Sequence, residues 1–356
     1  MKLIVTGGGT GGHVFPALEV AKAARDNGHE CLYVGSIRGI EGKSCQKESI
    51  QFLGLNSKPV GKTFSVKGLF GVLRIIKNIS YAQKIIRQYK PDAIFSTGGY
   101  SASPLIAASK REKVPLIIHE QNVIPGRTHR IASSYAKKKC IVFKETKQYL
   151  GENCIVTGLP MREVLVVQAI QNQKTISNEI GHTLSFGGSQ GATVINEVVL
   201  TTAHRVLSSG KIWTHVTGPL NYEACARAVE RLCLPEGFRI KAYLEAVELV
   251  QEFSLADIAI SRSGAGAICE LALFGVPAIF IPYAYAFAGH QEANARVIES
   301  IGGASIIRQN ALTPERLEHE WKKWSENKDR RMQATEKLRN WVVRDATQQV
   351  LNIIEK

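Results

Sequence analysis

Short apolar runs alternate along the chain with stretches whose apolar positions recur every three or four residues. The runs fall at 2–6, 31–34, 93–96, 116–119 and 139–143 in the first half, and at 183–186, 212–217, 239–243, 258–261 and 278–281 in the second. Helical spacing fills 11–27, 192–208, 245–254 and 266–274; in the first of these Val14, Ala17, Leu18, Ala21 and Ala24 share one face. Strands alternating with helices predict parallel sheets covered by helices. Glycine turns follow strands at 7–12, 187–191 and 264–266. The 356 residues suffice for two cores. The expectation is α/β, two doubly wound domains over 1–160 and 161–335, joined near 158–162, with ligands at the carboxyl ends of the strands in the cleft between them. A last helix over 336–356, with Leu338, Trp341, Val342, Val350 and Ile354 as its apolar positions, is expected to cross back to the first domain.

Charge changes this picture by its distribution. Residues 1–160 hold 24 Lys and Arg against 10 Asp and Glu, and the remainder holds 21 against 21, so the whole net charge of +14 sits in the first half. That half is expected to face something anionic: nucleic acid, a membrane surface or a phosphorylated substrate. Between Glu48 and Asp92 no acidic residue occurs, while eight are basic. Leu69, Val72, Leu73, Ile76, Ile79, Ala82 and Ile86 make a helical apolar stripe there, widened by Phe70 and Ile75. Two readings follow: a core-facing helix with a basic solvated side, or a basic amphipathic surface that docks on anionic lipid. The domain's charge favours the second, with Lys67, Leu69, Phe70, Leu73, Arg74, Ile76 and Lys77 as the patch.

A first strand at residue 2 leaves no room for a signal peptide, and a cytosolic protein is expected. The uncharged run 271–289 raises the question of a membrane span; Gly275, Pro277 and Pro282 within it predict a helix end, a buried strand and a loop instead. Seven scattered cysteines without a C-x-x-C predict reduced thiols and no zinc site.

The stretch Thr6-Gly7-Gly8-Gly9-Thr10-Gly11-Gly12-His13 places backbone N–H groups and a helix start where an anion binds. It matches G-x-G-x-x-G, yet a nicotinamide enzyme also needs an acidic residue at the end of the second strand, and none occurs before Glu41. A nucleoside triphosphatase would carry Lys and then Ser or Thr where this chain has His13-Val14. His13 is the candidate for proton transfer, since imidazole accepts a proton near neutral pH; the alternative is a histidine that packs the helix start. His119-Glu120-Gln121-Asn122 follows an apolar strand, and Thr97-Gly98-Gly99-Tyr100 offers a second anion turn. In the second half, Glu270 follows Gly266 by four residues, suited to ribose hydroxyls while the turn's N–H groups hold a diphosphate. His290, Gln291 and Asn294 suit sugar hydroxyls. No residue cluster predicts a metal.

These motifs, in this order, closely resemble the MurG family, membrane-associated glycosyltransferases that add N-acetylglucosamine to the lipid-linked muramyl-pentapeptide precursor of peptidoglycan. The stretches that carry the resemblance are 6–13 with Pro16, Gly98-Gly99-Tyr100, 119–122, 187–192, 261–270 and 290–294, spanning about nine-tenths of the chain. The resemblance implies the GT-B fold, inverting transfer from UDP-N-acetylglucosamine, neither cofactor nor metal, no nucleic acid, and peripheral attachment to the cytoplasmic face of the inner membrane. Carried over by position, it implies His13 as general base with Glu120 as a second candidate. It implies donor contacts from Thr10, Gly11, Gly12, His13, Asn122, Arg162, Ser189, Leu244, Ala265, Gly266, Glu270, His290, Gln291 and Asn294. Gly8, Gly9, Gly99 and Tyr100 would hold the acceptor diphosphate. The chain departs from the family at Ala267, where a threonine is common, at Leu159, where an asparagine is common, and in 284–289, which lacks an acidic residue. A transferase of this architecture with another lipid acceptor and a dinucleotide-dependent oxidoreductase remain as alternatives. An epimerase would have no need of a lipid-facing surface, and a non-catalytic binder would show no turnover.

Overall fold

The computed structural model describes residues 1–56, 66–171, 176–188, 190–207 and 210–356, with side chains of the helix Val66–Tyr89 described from Ile76 onward. Its contacts divide the chain into two compact units, Met1–Arg162 with Asp345–Lys356, and Glu163–Arg344.

The first unit is built on seven strands: β1 (Lys2–Gly7), β2 (Glu30–Ser36), β3 (Gln51–Leu55), β4 (Ala93–Gly98), β5 (Leu116–Glu120), β6 (Lys138–Ile141) and β7 (Cys154–Val156). They lie in the order β3-β2-β1-β4-β5-β6-β7, all parallel. Strand alternation explains why the runs are apolar throughout: Leu3 and Val5 join Tyr33 and Phe95 in one core, while Ile4 joins Leu32, Val34, Ile94 and Ile118 in another. The helix Gly11–Asp26 covers the first face with Leu18 and Ala21, and the helix Ala346–Ile354 adds Val350, Leu351 and Ile354 to the same core. Removing a leucine, isoleucine or valine among these from water stabilises the unit by about 1.5–3 kcal/mol.

The strand order reverses between β1 and β4, the place where a parallel sheet opens a crevice at its carboxyl ends. The turn after β1 and the turn after β4 flank that point. Register shifts between Thr6 and Gly7 against β4, and the Gly8 N–H reaches the Gly98 carbonyl at 3.2 Å.

The second unit repeats the plan with β8 (His182–Phe186), β9 (Ile212–Val216), β10 (Phe238–Lys241), β11 (Ile258–Ser261), β12 (Ala278–Phe280) and β13 (Ala304–Ile306), ordered β10-β9-β8-β11-β12-β13 and parallel. Its reversal lies between β8 and β11, flanked by the glycine turns that follow those strands. Trp213, Trp321 and Trp324 fill the core, and each indole N–H finds a hydroxyl, on Ser185, Thr183 and Ser305 respectively.

The expectation for the end of the chain changes. The terminal helix is two: Lys328–Trp341 belongs to the second unit and Ala346–Ile354 to the first, with an irregular break after Trp341. The uncharged run 271–289 forms, as expected, the end of the helix Ala265–Phe274, β12 and a loop, and no helix among the described residues is long and apolar enough to cross a membrane. The apolar stripe of Val66–Tyr89 is split: Ala82, Ile85 and Ile86 are buried in the second core with Ile79 against it, whereas Ile76 is 53% exposed and Lys77 is exposed. The side chains of Lys67, Leu69, Phe70, Leu73 and Arg74 lie outside the described residues. All seven cysteines are unpaired and five are buried.

Candidate active site

In the first unit the polar groups collect at the β1–β4 reversal. Thr10 caps the helix Gly11–Asp26 in extended conformation without a side-chain cap bond, so the first N–H groups of that helix have no intrahelical partner. Pro16 lacks the N–H that would close on the Gly12 carbonyl, which loosens the same turn. Gly12 is exposed, and a side-chain carbon built there would meet only Thr10 Oγ1 at 3.8 Å. An anion can therefore approach the backbone at 11–12.

Gly8 and Gly9 behave differently from expectation. The Gly8 N–H donates to the Gly98 carbonyl, and the Gly9 N–H donates to Glu41 Oε1 at 3.3 Å. Both donors point into the protein, and the free donors of the turn lie further on, at the helix start. Glu41 is fully buried; Ser101 Oγ also donates to its Oε1 at 3.3 Å, and its Oε2 has no hydrogen-bond partner among the described residues. Sequence reasoning passed Glu41 by as an acid too late for a ribose contact. The signal was the glycines around it: carbons built on Gly8 or Gly39 would collide with its carboxylate at 1.9 and 1.6 Å. Gly99 and Tyr100 are half-buried, with Tyr100 packed against Gly9.

His13 stands on the first turn of its helix, partly exposed. Its Nδ1–H donates to the Thr97 carbonyl at 2.8 Å and to Gln121 Oε1 at 2.9 Å. A carbonyl only accepts, so Nδ1 carries the proton and Nε2 the lone pair. Desolvation holds the His13 pKa below the ordinary histidine value, against the opposing pull of Glu120 and with a lesser downward push from His129. The neutral ring, the form a base needs, is thereby favoured at pH 7.

Glu120 is placed for a different task. Only 1% exposed, it accepts from Asn122 N and Nδ2 through Oε1, and from Gly126 N and His129 Nδ1 through Oε2, the last at 2.9 Å. Burial pushes its carboxyl up, but the bonds and charge of His129, the Asn122 N–H and His13 outweigh it and hold the pKa at about 2. A carboxylate with its acceptor positions filled and so low a pKa does not exchange protons near neutrality, which removes the chemical basis for the second-base expectation. It orders the 120–129 loop, and with it Asn122, whose carbonyl also accepts from Thr146 Oγ1. Arg162 is half-buried at the end of the unit, where its charge acts on buried Glu19.

In the second unit, the helix Ala265–Phe274 starts from extended Gly264 with no side-chain cap and no acidic residue in its first turn. Nothing stands within 4 Å of carbons built on Gly264 or Gly266. Open space over the first N–H groups at the positive end of a helix is an arrangement that can accept a phosphate. Ala267 and Glu270 are half-buried on this helix, and Ala265 is buried. Ser263 Oγ donates to the Gln291 carbonyl, Asn294 Nδ2 to the Ser263 carbonyl, and the Tyr283 N–H to Gln291 Oε1, so the turn is tied to the helix His290–Ser300. Asn294 is buried in this bracing, which makes it a support for the turn, while His290 and Gln291 stay partly exposed. Arg262, unforeseen from sequence, donates to the Ile281 and Pro282 carbonyls and stacks on Tyr283 at 5.3 Å. Leu244 is buried just before the helix Ala246–Leu255, which opens with a Glu245/Glu248 capping box. Ser189 lies outside the described residues. Among the described residues no group of three or more His, Cys, Asp or Glu could hold a metal ion.

Residues 3–141 match the glycosyltransferase family 28 N-terminal domain, and residues 183–350 the glycosyltransferase family 28 C-terminal domain. A Halothermothrix orenii protein named UDP-N-acetylglucosamine--N-acetylmuramyl-(pentapeptide) pyrophosphoryl-undecaprenol N-acetylglucosamine transferase is 35% identical over 89% of this chain and 88% of its own length. The Bacillus subtilis protein of the same name is 29% identical over 100% of this chain and 99% of its own. The crystal structure of Acinetobacter baumannii MurG superposes with a TM-score of 0.79 at 29% identity, covering 99% of this chain and 98% of that one. UDP-GlcNAc 2-epimerase from Neisseria meningitidis reaches a TM-score of 0.72 over 100% of both chains, but at 14% identity the likeness is one of fold. With both halves matched and a relative of 35% identity spanning most of each sequence, the chain belongs to the MurG family of family 28 glycosyltransferases.

Proposed function

We propose that this chain transfers N-acetylglucosamine from UDP-N-acetylglucosamine to the muramyl sugar of undecaprenyl-diphosphate-linked muramyl-pentapeptide, the lipid I to lipid II step of peptidoglycan synthesis. The observation that carries the reading is the state of His13: a neutral imidazole, protonated on Nδ1, with Nε2 left to accept a proton beside an anion-binding helix start. The names of the relatives supply donor and acceptor.

His13 Nε2 removes the proton from the acceptor hydroxyl as that oxygen attacks the anomeric carbon, and the bond from that carbon to the diphosphate oxygen breaks with inversion. A positioned base contributes about 10²–10⁴-fold. The unpaired N–H groups at the start of Ala265–Phe274 bind the leaving diphosphate, which gains charge in the transition state. Glu270 takes the ribose hydroxyls, Leu244 offers backbone to the uracil, and His290 and Gln291 read the sugar, with Asn122, Arg162, Ser189, Thr10 and the 11–12 backbone as further donor contacts. Gly99 and Tyr100 line the acceptor diphosphate. The first half, with its charge of +14, faces anionic lipid at the cytoplasmic face of the membrane, with Ile76 and Lys77 at the docking surface; it does not engage nucleic acid. The domain roles follow: 1–160 receives the lipid-linked acceptor and 161–335 the UDP-sugar.

The testing experiment measures UDP release from UDP-N-acetylglucosamine with and without the lipid-linked muramyl acceptor. Release that requires the acceptor and is lost in His13→Ala supports the reading. Acceptor-independent release, epimerised sugar or an active His13→Ala protein overturns it. Flotation with anionic liposomes tests the docking surface, and binding unchanged in Ile76→Asp with Lys77→Glu sinks it.

A further inference from the structure

A file of buried polar groups leads away from His13. Gln121 Oε1 accepts from His13 Nδ1–H, and its Nε2 donates to the His119 carbonyl at 2.6 Å and to His119 Nδ1 at 3.2 Å. His119 Nε2 in turn donates to the Gly158 carbonyl at 2.8 Å. Every direction in this file is forced. The Gly158 carbonyl only accepts, so His119 carries its proton on Nε2 and presents a lone pair at Nδ1. The Gln121 amide nitrogen fills that lone pair and the His119 carbonyl, which turns its oxygen toward His13. Both relay side chains are buried, His119 at 0% and Gln121 at 2% exposed.

The file ends at a distinctive place. Gly158 has φ +72, a left-handed conformation that favours glycine, and Thr157 Oγ1 also donates to its carbonyl at 3.3 Å. Four residues later the chain leaves the first unit at Arg162. The peptide that holds the far end of the relay thus belongs to the segment that leads into the second unit.

We propose that Gln121 and His119 are positioning residues for the transfer reaction, and that they tie the orientation and basicity of His13 to the backbone conformation at Gly158. Neither reaches the reacting atoms. Gln121 gives the imidazolium formed during transfer a second acceptor beside the Thr97 carbonyl, and His119 keeps the amide turned the right way. The groups that face His13 electrostatically are Glu120 and His129, and the relay adds a term that depends on backbone placement. The inference rests on His13 being the base, but its test reads the His13 ring directly and not through turnover.

The experiment follows the His13 imidazole in the full-length protein by ¹⁵N and ¹³C NMR across pH, alongside the pH profile of kcat and thermal unfolding. Gln121→Met keeps the volume and removes the acceptor; the His13 titration is expected to move to lower pH, and kcat to fall roughly tenfold with KM for both substrates held within a few fold. Gln121→Glu supplies a charged acceptor and is expected to move the titration the opposite way. Gly158→Ala strains the left-handed peptide without touching His13, and is expected to move the titration in the Gln121→Met direction. Opposite signs for Met and Glu cannot arise from general damage to the fold. Shifts of one sign in both Gln121 variants, or a His13 titration in Gly158→Ala that matches the unsubstituted protein, overturn the proposal. Those outcomes leave His13→Ala as the separate test of the base.

Discussion

A side-chain carbon on Gly99 would lie 1.9 Å from the carbonyl oxygen of Gly8. The glycine turns after β1 and β4 touch through their backbones, and Gly99 has φ +86, so two independent reasons demand glycine there. Gly99→Ala is expected to push the turns apart, lowering stability by about 1–3 kcal/mol through conformational strain alone. Transfer should fall at least tenfold, because His13 takes its Nδ1 partner Thr97 from the same stretch. Chemical denaturation and transfer rates measured together check this; normal activity at normal stability would show the contact to be soft.

Glu41 supplies a second test on the same turn. Its Oε1 holds the Gly9 N–H and the Ser101 hydroxyl inside the protein. Glu41→Ala leaves the buried Ser101 hydroxyl and the partly buried Gly9 N–H without an acceptor as well as a void, and a loss of about 2–4 kcal/mol is expected. Glu41→Gln retains an acceptor of the same shape and should recover most of that loss. Urea titrations of the two variants separate hydrogen bonding from packing: equal losses would assign the whole effect to charge.

Most of this framework could be read from the residues. Alternating apolar runs and helical spacing located ten strands, because strands buried on both faces need uninterrupted apolar sequence. What escaped was short or at an edge. Gln51–Leu55 ends one sheet and contains Gly54, while Cys154–Val156 and Ala304–Ile306 are three-residue strands that each end a sheet. The terminal helix was misjudged because apolar spacing runs on through Val342, although the backbone turns there. At the site, the residue types were visible and their directions were not. Glu120 and Gln121 are neighbours in sequence, yet at the end of β5 the carboxylate turns to His129 and the amide to His13. Glu41 lies 32 residues from the N–H it accepts, and no local pattern announces such a pairing.

Acid should unfold the protein in two stages. Burial holds the pKa values of His119 and His215 at about 4, well below the ordinary 6.5, so the unfolded chain binds protons there that the folded one does not. Stability is complete above pH 6.5 and is lost as pH falls toward 4, on the order of 3 kcal/mol for each histidine. Glu120, held at about 2, adds a second loss as pH falls from about 4.5 toward 2, since the unfolded chain takes up that proton while the folded carboxylate is still held by its hydrogen bonds. His119 belongs to the first unit and His215 to the second, so both units should weaken in the first stage. Unfolding free energies measured from pH 8 to pH 4 should decline along this course; a flat profile between 6.5 and 4 would mean that these rings are protonated in the fold.

Gly266 is the converse of Gly99. Its φ lies outside the left-handed region, and a carbon added to it meets nothing within 4 Å, so the fold does not require glycine. It stands in the first turn of Ala265–Phe274, where alanine is the better helix former by up to about 1 kcal/mol. Gly266→Ala should therefore keep or slightly raise the unfolding temperature. If the space above it receives the donor's diphosphate, the added methyl occupies what the phosphate oxygens need, and the donor KM should rise about tenfold or more, equivalent to at least 1.4 kcal/mol. Glu270→Ala on the same helix should also raise the donor KM, by about 10–100-fold for the loss of charged hydrogen bonds to the ribose. The acceptor KM should stay unchanged in both, because the acceptor is assigned to the first unit. A Gly266→Ala protein with an unaltered donor KM would leave that glycine without a reason in either fold or ligand, and would move the diphosphate away from this helix.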